Sequence, residues 1–290
     1  MCIGVSAVTA RVRAVALTPL EMIVGDDGLP VTKVGPWTRE KHERLVKYVD
    51  ITRGVRRKFE KVETTYIELF CGPGRSIIED NKEIIDGSPI LAARTAKESY
   101  VPYTKIHIAD FEPSYVEAVS IRLRDITRDV HAYIGSAEQT VDNIIPHLDP
   151  RGLHFAFLDP YKLDPLPFSV IEKFAAFRRM DRLIHVSVHD FQRNLRRYMR
   201  ADNGPLDRFA PGWQRAVDFK SPDKAIRAAI FQHWLGLIRS LDMAASEGIE
   251  LVSGSKNQPL YWLVLVARHD RAHEFWDKIR NVSDQGRLSL

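Results

Sequence analysis

The chain has 290 residues, with 42 Lys and Arg against 38 Asp and Glu, and 44% of it is hydrophobic. That suffices for one large domain or two small ones, and it is too apolar for wholesale disorder. No apolar run approaches the roughly 20 residues that span a bilayer, and two cysteines, Cys2 and Cys71, exclude a disulfide scaffold or an all-cysteine zinc site.

Residues 1–20 carry Arg11 and Arg13 among small apolar residues and contain no acid. The arginines interrupt the stretch a signal peptide would need, so residues 1–30 are expected to be a flexible tail and the chain cytoplasmic. Residues 31–290 are expected to form a single domain. Residues 25–36 read as a polar Gly- and Pro-containing loop. Thr38 is the predicted N-cap of a helix that carries an apolar stripe at Leu45, Val46 and Val49 and extends toward Phe59.

The period then changes. Residues 64–70 (TTYIELF) read as a strand ending at Cys71-Gly72-Pro73-Gly74. Further strands follow at 105–109, ending at Asp110; at 130–134, ending at Gly135; at 153–158, ending at Asp159-Pro160; and at 183–188, ending at His189-Asp190. Helical stretches at 88–99, 115–127, 140–147 and 170–178 lie between them. Strands alternating with helices predict an α/β fold with a mostly parallel sheet covered on both faces. A final strand at 260–267 (LYWLVLVA), hairpinned with 249–252, suits a methyltransferase-type sheet.

Charge is unevenly placed. Residues 191–240 hold ten basic residues against four acidic ones, so residues 191–248 are read as a basic helical insertion. Arg193, Arg196, Arg197 and Arg200 recur at three- and four-residue spacing and make one helical face positive. Phe209 and Trp213 nearby are candidates to stack on unpaired bases, which points to nucleic acid. A solvated helix face over core aromatics is the alternative.

Four strand ends could carry chemistry. Gly72 and Gly74 let the backbone turn sharply and approach a ligand, although such a pair is often only a turn. The segment has neither the third glycine of a dinucleotide fingerprint nor the ending of a phosphate-binding loop. Asp110 could accept both hydroxyls of a ribose, or cap the helix that starts at Pro113-Ser114. Gly135-Ser136-Ala137-Glu138 could meet an adenine or be an ordinary capped helix start. Asp159-Pro160-Tyr161 could orient an amine-bearing or planar acceptor, or be a strand stopped by proline.

Residues 68–76 (ELFCGPGRS), 86–91 (DGSPIL), 157–161 (FLDPY) and Gly35-Pro36-Trp37-Thr38 together resemble the three-Cys-motif partner protein family, bacterial proteins of S-adenosylmethionine-methyltransferase-like architecture. The resemblance runs over residues 31–269. It implies a Rossmann-like fold, S-adenosylmethionine as cofactor, and a separate three-cysteine partner protein. It also implies that Glu68, Phe70, Gly72 and Gly74 face the methionine end of the donor and that Asp110 lies at its ribose. Ser136, Ala137 and Glu138 would then lie near its adenine. Asp159 would stand beside the methyl group, Pro160 and Tyr161 against the acceptor, and His189 would be a proton acceptor. The sequence departs from the pattern in two places. Gly74 and Asp110 are 36 residues apart, where the simple dinucleotide motif has about 20. The Asp-Pro-Tyr segment is also one proline short of the signature of amino-methylating enzymes. Two readings from other classes remain: a non-catalytic adaptor that docks the three-cysteine partner, and a magnesium-dependent nuclease using Asp110, Glu112 and Asp159.

Overall fold

The computed structural model describes residues 23–246, 250–253 and 258–287. Most of the expected tail lies outside the described residues, but its last residues do not behave as one. Ile23–Val24 (β1) pairs antiparallel with Pro30–Val34 (β2), across the segment read from sequence as loop. Two helices follow, Thr38–Ile51 (α1) and Arg53–Arg57 (α2). Thr38 is already helical; the N-cap is Trp37, whose side chain makes no capping hydrogen bond.

Next come Thr64–Glu68 (β3), Arg75–Ile78 (β4), Ile84–Asp86 (β5), Ser88–Glu98 (α3), Lys105–Asp110 (β6), Pro113–Leu123 (α4) and Val130–Ile134 (β7). They are followed by Ala137–Ile144 (α5), Leu153–Leu158 (β8), Phe168–Phe174 (α6), Met180–Ser187 (β9) and Val188–Tyr198 (α7). The chain continues with Pro205–Phe209 (α8), Asp223–Ser240 (α9), Ala244–Ala245 (β10), Glu250–Ser253 (β11), Pro259–Ala267 (β12) and Asp270–Arg287 (α10).

The main sheet runs β10-β12-β9-β8-β3-β6-β7, with β11 also on β12. From β7 to β9 every pairing is parallel. β12 is antiparallel to β9 on one side and to β10 and β11 on the other. This is the expected Rossmann-like α/β fold, mostly parallel with a C-terminal antiparallel hairpin. The surplus residues between Gly74 and Asp110 are not a longer crossover. They form the β4–β5 hairpin, which joins β1 and β2 in a small separate sheet beside the glycine turn.

Strand side chains alternate between faces, so each strand feeds two cores. Ile67, Ala156, Ile184 and Val264 pack with helices α5 to α9. Tyr66, Phe157, Leu183 and Leu263 pack with α1, α3, α4 and α10. Helices α7 to α9, which lie in sequence between β9 and the C-terminal antiparallel strands, pack into this core. Phe209 and Trp213 are buried, and the Phe209 ring stacks on Trp234 at 5.4 Å. The expectation that they stack on bases is corrected: they are core aromatics.

Candidate functional site

Period-two alternation builds the site. Glu68, Asp110, Asp159, His185 and Tyr261 share the parity of strand residues that pack under α1, α3 and α4. The register places their strands side by side, Glu68 opposite Phe157, Leu158 opposite Ile184, and His185 opposite Leu263. Residues separated by nearly 200 positions thus meet on one face, toward the carboxyl ends of β3, β6, β8 and β9. Ligands of open α/β sheets bind at that edge.

The glycine turn sits in the middle of it. Gly72 and Gly74 have φ of +54° and +85°, a region that side-chain-bearing residues avoid. The two glycines serve different ends. A Cβ on Gly74 would come within 2.9 Å of Val119 on α4, whereas nothing lies within 4 Å of a Cβ placed on Gly72. Gly74 makes room for packing, and Gly72 leaves open space above the backbone. Arg122 of α4 holds the turn from below, donating to the carbonyls of Pro73 at 2.5 Å and Pro30 at 2.9 Å and to Asp27. That hydrogen bond, with the positive charges of Arg122 and Arg75, lowers the Asp27 pKa to about 2.

Asp110 does not cap α4. Glu112 does, accepting from Ser114 N. Asp110 instead accepts from Gly72 N at 2.9 Å and Glu112 N at 3.1 Å. Burial raises its pKa against these amides. Beside it, Phe111 is 79% exposed, a large aromatic surface next to a half-buried acid and an open glycine. Sequence reasoning passed over Phe111 because one aromatic at a strand end has no periodic signal.

Asp159 is paired. Lys41 of α1 forms an ion pair with its Oδ2, and His185 Nδ1 lies 3.7 Å from Oδ1. Burial would raise the Asp159 pKa, but the charges of Lys41 and His185 outweigh it and hold it below the ordinary value. His185 Nδ1 also lies 2.9 Å from the Pro160 carbonyl. The carbonyl can only accept, so Nδ1 carries the proton and Nε2 the lone pair. Burial lowers the His185 pKa to about 4, so the ring is neutral at pH 7. Lys41 lies in the charged stretch before the apolar stripe, where no local pattern separates it from its solvated neighbours.

Several expected ligand contacts are placed otherwise. Glu68 is fully buried, and its two oxygens accept from Tyr66 and Ser88 hydroxyls. Burial pushes its pKa up to about 8. It therefore braces the strand end against α3 instead of reaching outward. Phe70 is half-buried against the α5–α9 core. Ser136 makes a complete capping box with Gln139, Ala137 is buried, and Glu138 takes Ser169 at 3.0 Å and Arg208 at 2.8 Å. The capping reading accounts for that segment. It is tied to Asp110 through the backbone, Gly135 N donating to the Asp110 carbonyl at 3.0 Å.

His189 is exposed in the first turn of α7, so the histidine beside Asp159 is His185. Tyr161 is 73% exposed under the Lys162 ammonium, and Pro160 is buried. Asp190 is buried and accepts from Leu163 N at 3.1 Å, Asn194 at 2.8 Å and Tyr198. It ties the Asp159-Pro160-Tyr161 loop to α7, a positioning duty. Arg193, Arg196, Arg197 and Arg200 are all exposed, Arg196 pairing with Asp223 and Arg197 lying over the Tyr198 ring at 5.2 Å. Among the described residues no group of three or more His, Cys, Asp or Glu is placed to hold a metal ion. Asp110, Glu112 and Asp159 form no such group, and a lysine absent from the sequence argument neutralises Asp159.

No family model matches the chain, and no curated protein matches it. Solved structures do. An O-methyltransferase from Bacillus cereus in complex with SAH aligns over 83% of this chain and 85% of its own, at 15% identity and a TM-score of 0.47. The O-methyltransferase TomG from Streptomyces achromogenes, in complex with SAM, aligns over 77% and 79%, at 17% identity and a TM-score of 0.41. At these values neither assigns a ligand or a reaction to this chain. No helix among the described residues is long and apolar enough to cross a membrane.

Proposed function

We propose that the chain is an S-adenosylmethionine-dependent methyltransferase whose acceptor is a nucleic acid or a nucleobase-like group. The observation that carries the reading is the open positive-φ Gly72, its N–H bound by Asp110 beside the exposed Phe111. An adenosine fits this set: the bare backbone admits its sugar, the acid accepts ribose hydroxyls, and the aromatic covers the base. When bound, the cofactor supplies an electrophilic methyl group. The chain's own part is alignment. Asp159, held ionised by Lys41, accepts a hydrogen bond from the acceptor's N–H or O–H, and His185 Nε2 is the neutral base beside it. The resemblance to three-Cys-motif partner proteins rests on the quoted motifs and agrees with this reading.

The test is thermal unfolding with S-adenosylmethionine and its demethylated product. Ligand at ~100 times its dissociation constant should add ~2.7 kcal/mol of stability; no shift from either at millimolar concentration would defeat the proposal. The acceptor class has its own test. α7 starts at the sheet edge next to the Asp159 loop and carries Arg193, Arg196 and Arg197 outward, with Arg200 in the turn that follows it. Oligonucleotide binding should therefore weaken steeply with salt, by roughly 0.7–0.9 in the logarithmic slope for each phosphate neutralised. The Arg193→Ala/Arg197→Ala variant should lower that slope by about two contacts' worth, and an unchanged slope would remove nucleic acid.

One observation favours a second reading. The carboxylate that would meet an acceptor is already paired with Lys41, as suits a non-catalytic adaptor that docks a three-cysteine-motif partner. Donor binding without transfer to any offered acceptor, coupled to capture of that partner, would select it.

A further inference from the structure

A cavity of about 490 Å³ opens at the other edge of the sheet, where the parallel strands begin. It takes Phe155 from the start of β8, Asp181 from the start of β9, Tyr48 from α1 and Phe275 from α10. Five strand residues at ~3.3 Å separate the start of β8 from its carboxyl end, so the cavity lies roughly 17 Å from the Asp159 edge. Nothing in the methyl-transfer reading uses it.

Its lining is graded from acid to base. On the inside, Asp181 is half-buried among aromatic rings, where a carboxylate needs partners. Its Oδ2 accepts from the Tyr48 hydroxyl at 2.7 Å, and Oδ1 has no hydrogen-bond partner among the described residues. The walls are aromatic. Tyr48 and Phe155 are buried and packed on each other at 5.0 Å to form the floor, and the half-buried Phe59 and Phe275 rings flank the opening. The mouth carries three cations against one exposed acid, Asp270. The Arg179 guanidinium lies 5.6 Å over Phe59, Arg271 lies 5.9 Å over Phe275, and Lys58 is exposed beside them. An apolar chamber of this size with a few convergent polar groups is how small-molecule sites are built.

We propose that this cavity is a second ligand site, for a free purine nucleotide. Its base lies against the half-buried Phe59 and Phe275 rings with an amino group donating to Asp181. Its phosphates stay at the mouth on Arg179, Arg271 and Lys58. The aromatics supply stacking, the carboxylate selects a base that carries N–H donors, and the guanidiniums select phosphate. The proposal is independent of the methyl-donor site.

The experiment is calorimetric titration of the full chain with GTP and with ATP, each with and without saturating S-adenosylhomocysteine. Inorganic tripolyphosphate serves as the probe of charge alone. Saturable binding of at least one nucleotide is expected, unaffected by S-adenosylhomocysteine and at least tenfold tighter than tripolyphosphate. Arg179→Ala/Arg271→Ala, both exposed and so tolerated by the fold, should weaken it tenfold or more. Asp181→Asn, which keeps an acceptor for Tyr48, should also weaken it. The proposal is overturned by no saturable binding at millimolar nucleotide, by competition with S-adenosylhomocysteine, by equal affinity for tripolyphosphate, or by an unchanged affinity in the arginine variant. Should S-adenosylhomocysteine fail to bind, the donor reading falls, and the arginine and tripolyphosphate arms still decide this one.

Discussion

Asp159→Ala is expected to abolish methyl transfer and to destabilise the fold by about 3–5 kcal/mol, while donor binding at Gly72 and Asp110 survives. The loss of activity follows from removing the acceptor's hydrogen-bond partner. The loss of stability follows from Lys41, whose side chain is only 13% exposed and would be left as a buried unpaired charge. Lys41→Met alone should cost a similar amount, since Asp159 then sits ionised beside the neutral His185. The double variant Lys41→Met/Asp159→Ala should be far less destabilised than the sum of the two, because it buries no charge. Chemical denaturation of the four proteins measures this coupling. Additive losses would mean that the two side chains do not meet in solution, and the geometry assigned to the acceptor side would be wrong. Retained transfer by Asp159→Ala would move the acceptor site elsewhere.

The second large effect concerns pH. Burial, together with the nearby Asp159 charge, raises Glu68 from 4.5 to about 8 although Ser88, Tyr66 and Lys41 act against it. A carboxyl whose folded pKa lies above its unfolded value holds its proton in the native state. Its stabilisation is fully present below pH 4.5 and is lost as pH rises toward 8, at roughly 1 kcal/mol for each pH unit. Buried histidines work in the opposite direction. Burial lowers His42 and His185 to about 4 and His107 to about 3, from 6.5. Each is neutral when folded, so its contribution is present above pH 6.5 and is lost as pH falls through that window. The histidines oppose the acids below pH 6; above 6.5 Glu68 acts with no histidine against it, in the same direction as the buried Asp110 and Asp181, whose pKa values burial also raises. Maximum stability is therefore expected between about pH 6 and 7. Glu68→Gln, which keeps an acceptor for Tyr66 and offers Ser88 an amide N–H once its hydroxyl turns to accept, should flatten the alkaline side and stabilise the protein at pH 8 by a few kcal/mol, on the order of 4. Melting curves from pH 5 to 8 on both proteins test this. An alkaline slope unchanged by the substitution would show that Glu68 is ionised in the folded state and free to meet a ligand.

This outcome also separates the two roles proposed for the residue. The resemblance to the three-Cys-motif partner family implies that Glu68 faces the donor. In the fold its oxygens are spent on Tyr66 and Ser88. It acts on the site by fixing the strand end against α3, as Arg122 does by holding Pro73 and Asp190 by holding Leu163.

Sequence alone determined the strands and most of the helices, since apolar runs of five to eight residues cut off by Gly, Asp or Pro follow from local chemistry. It determined that Asp110 and Asp159 terminate such strands, and that Arg193, Arg196 and Arg197 lie on one helix; Arg200, expected on the same face, lies in the turn beyond it. It missed β1, β2, β4, β5 and β10, which are too short to show a period; β2 forms where β4 offers it an edge, and β1 adds to β2. The partners of each side chain were decided by the tertiary structure. Whether Asp159 is open or paired depends on Lys41, 118 positions away. Whether His189 or His185 stands beside it depends on which face of β9 each side chain takes, and on the chain turning into helix at Val188. Whether Phe209 and Trp213 meet bases or a core depends on α9 lying against them. Local sequence sets the period of an element. Only packing sets what lies across from it, because contacts between distant segments leave no regular spacing to read.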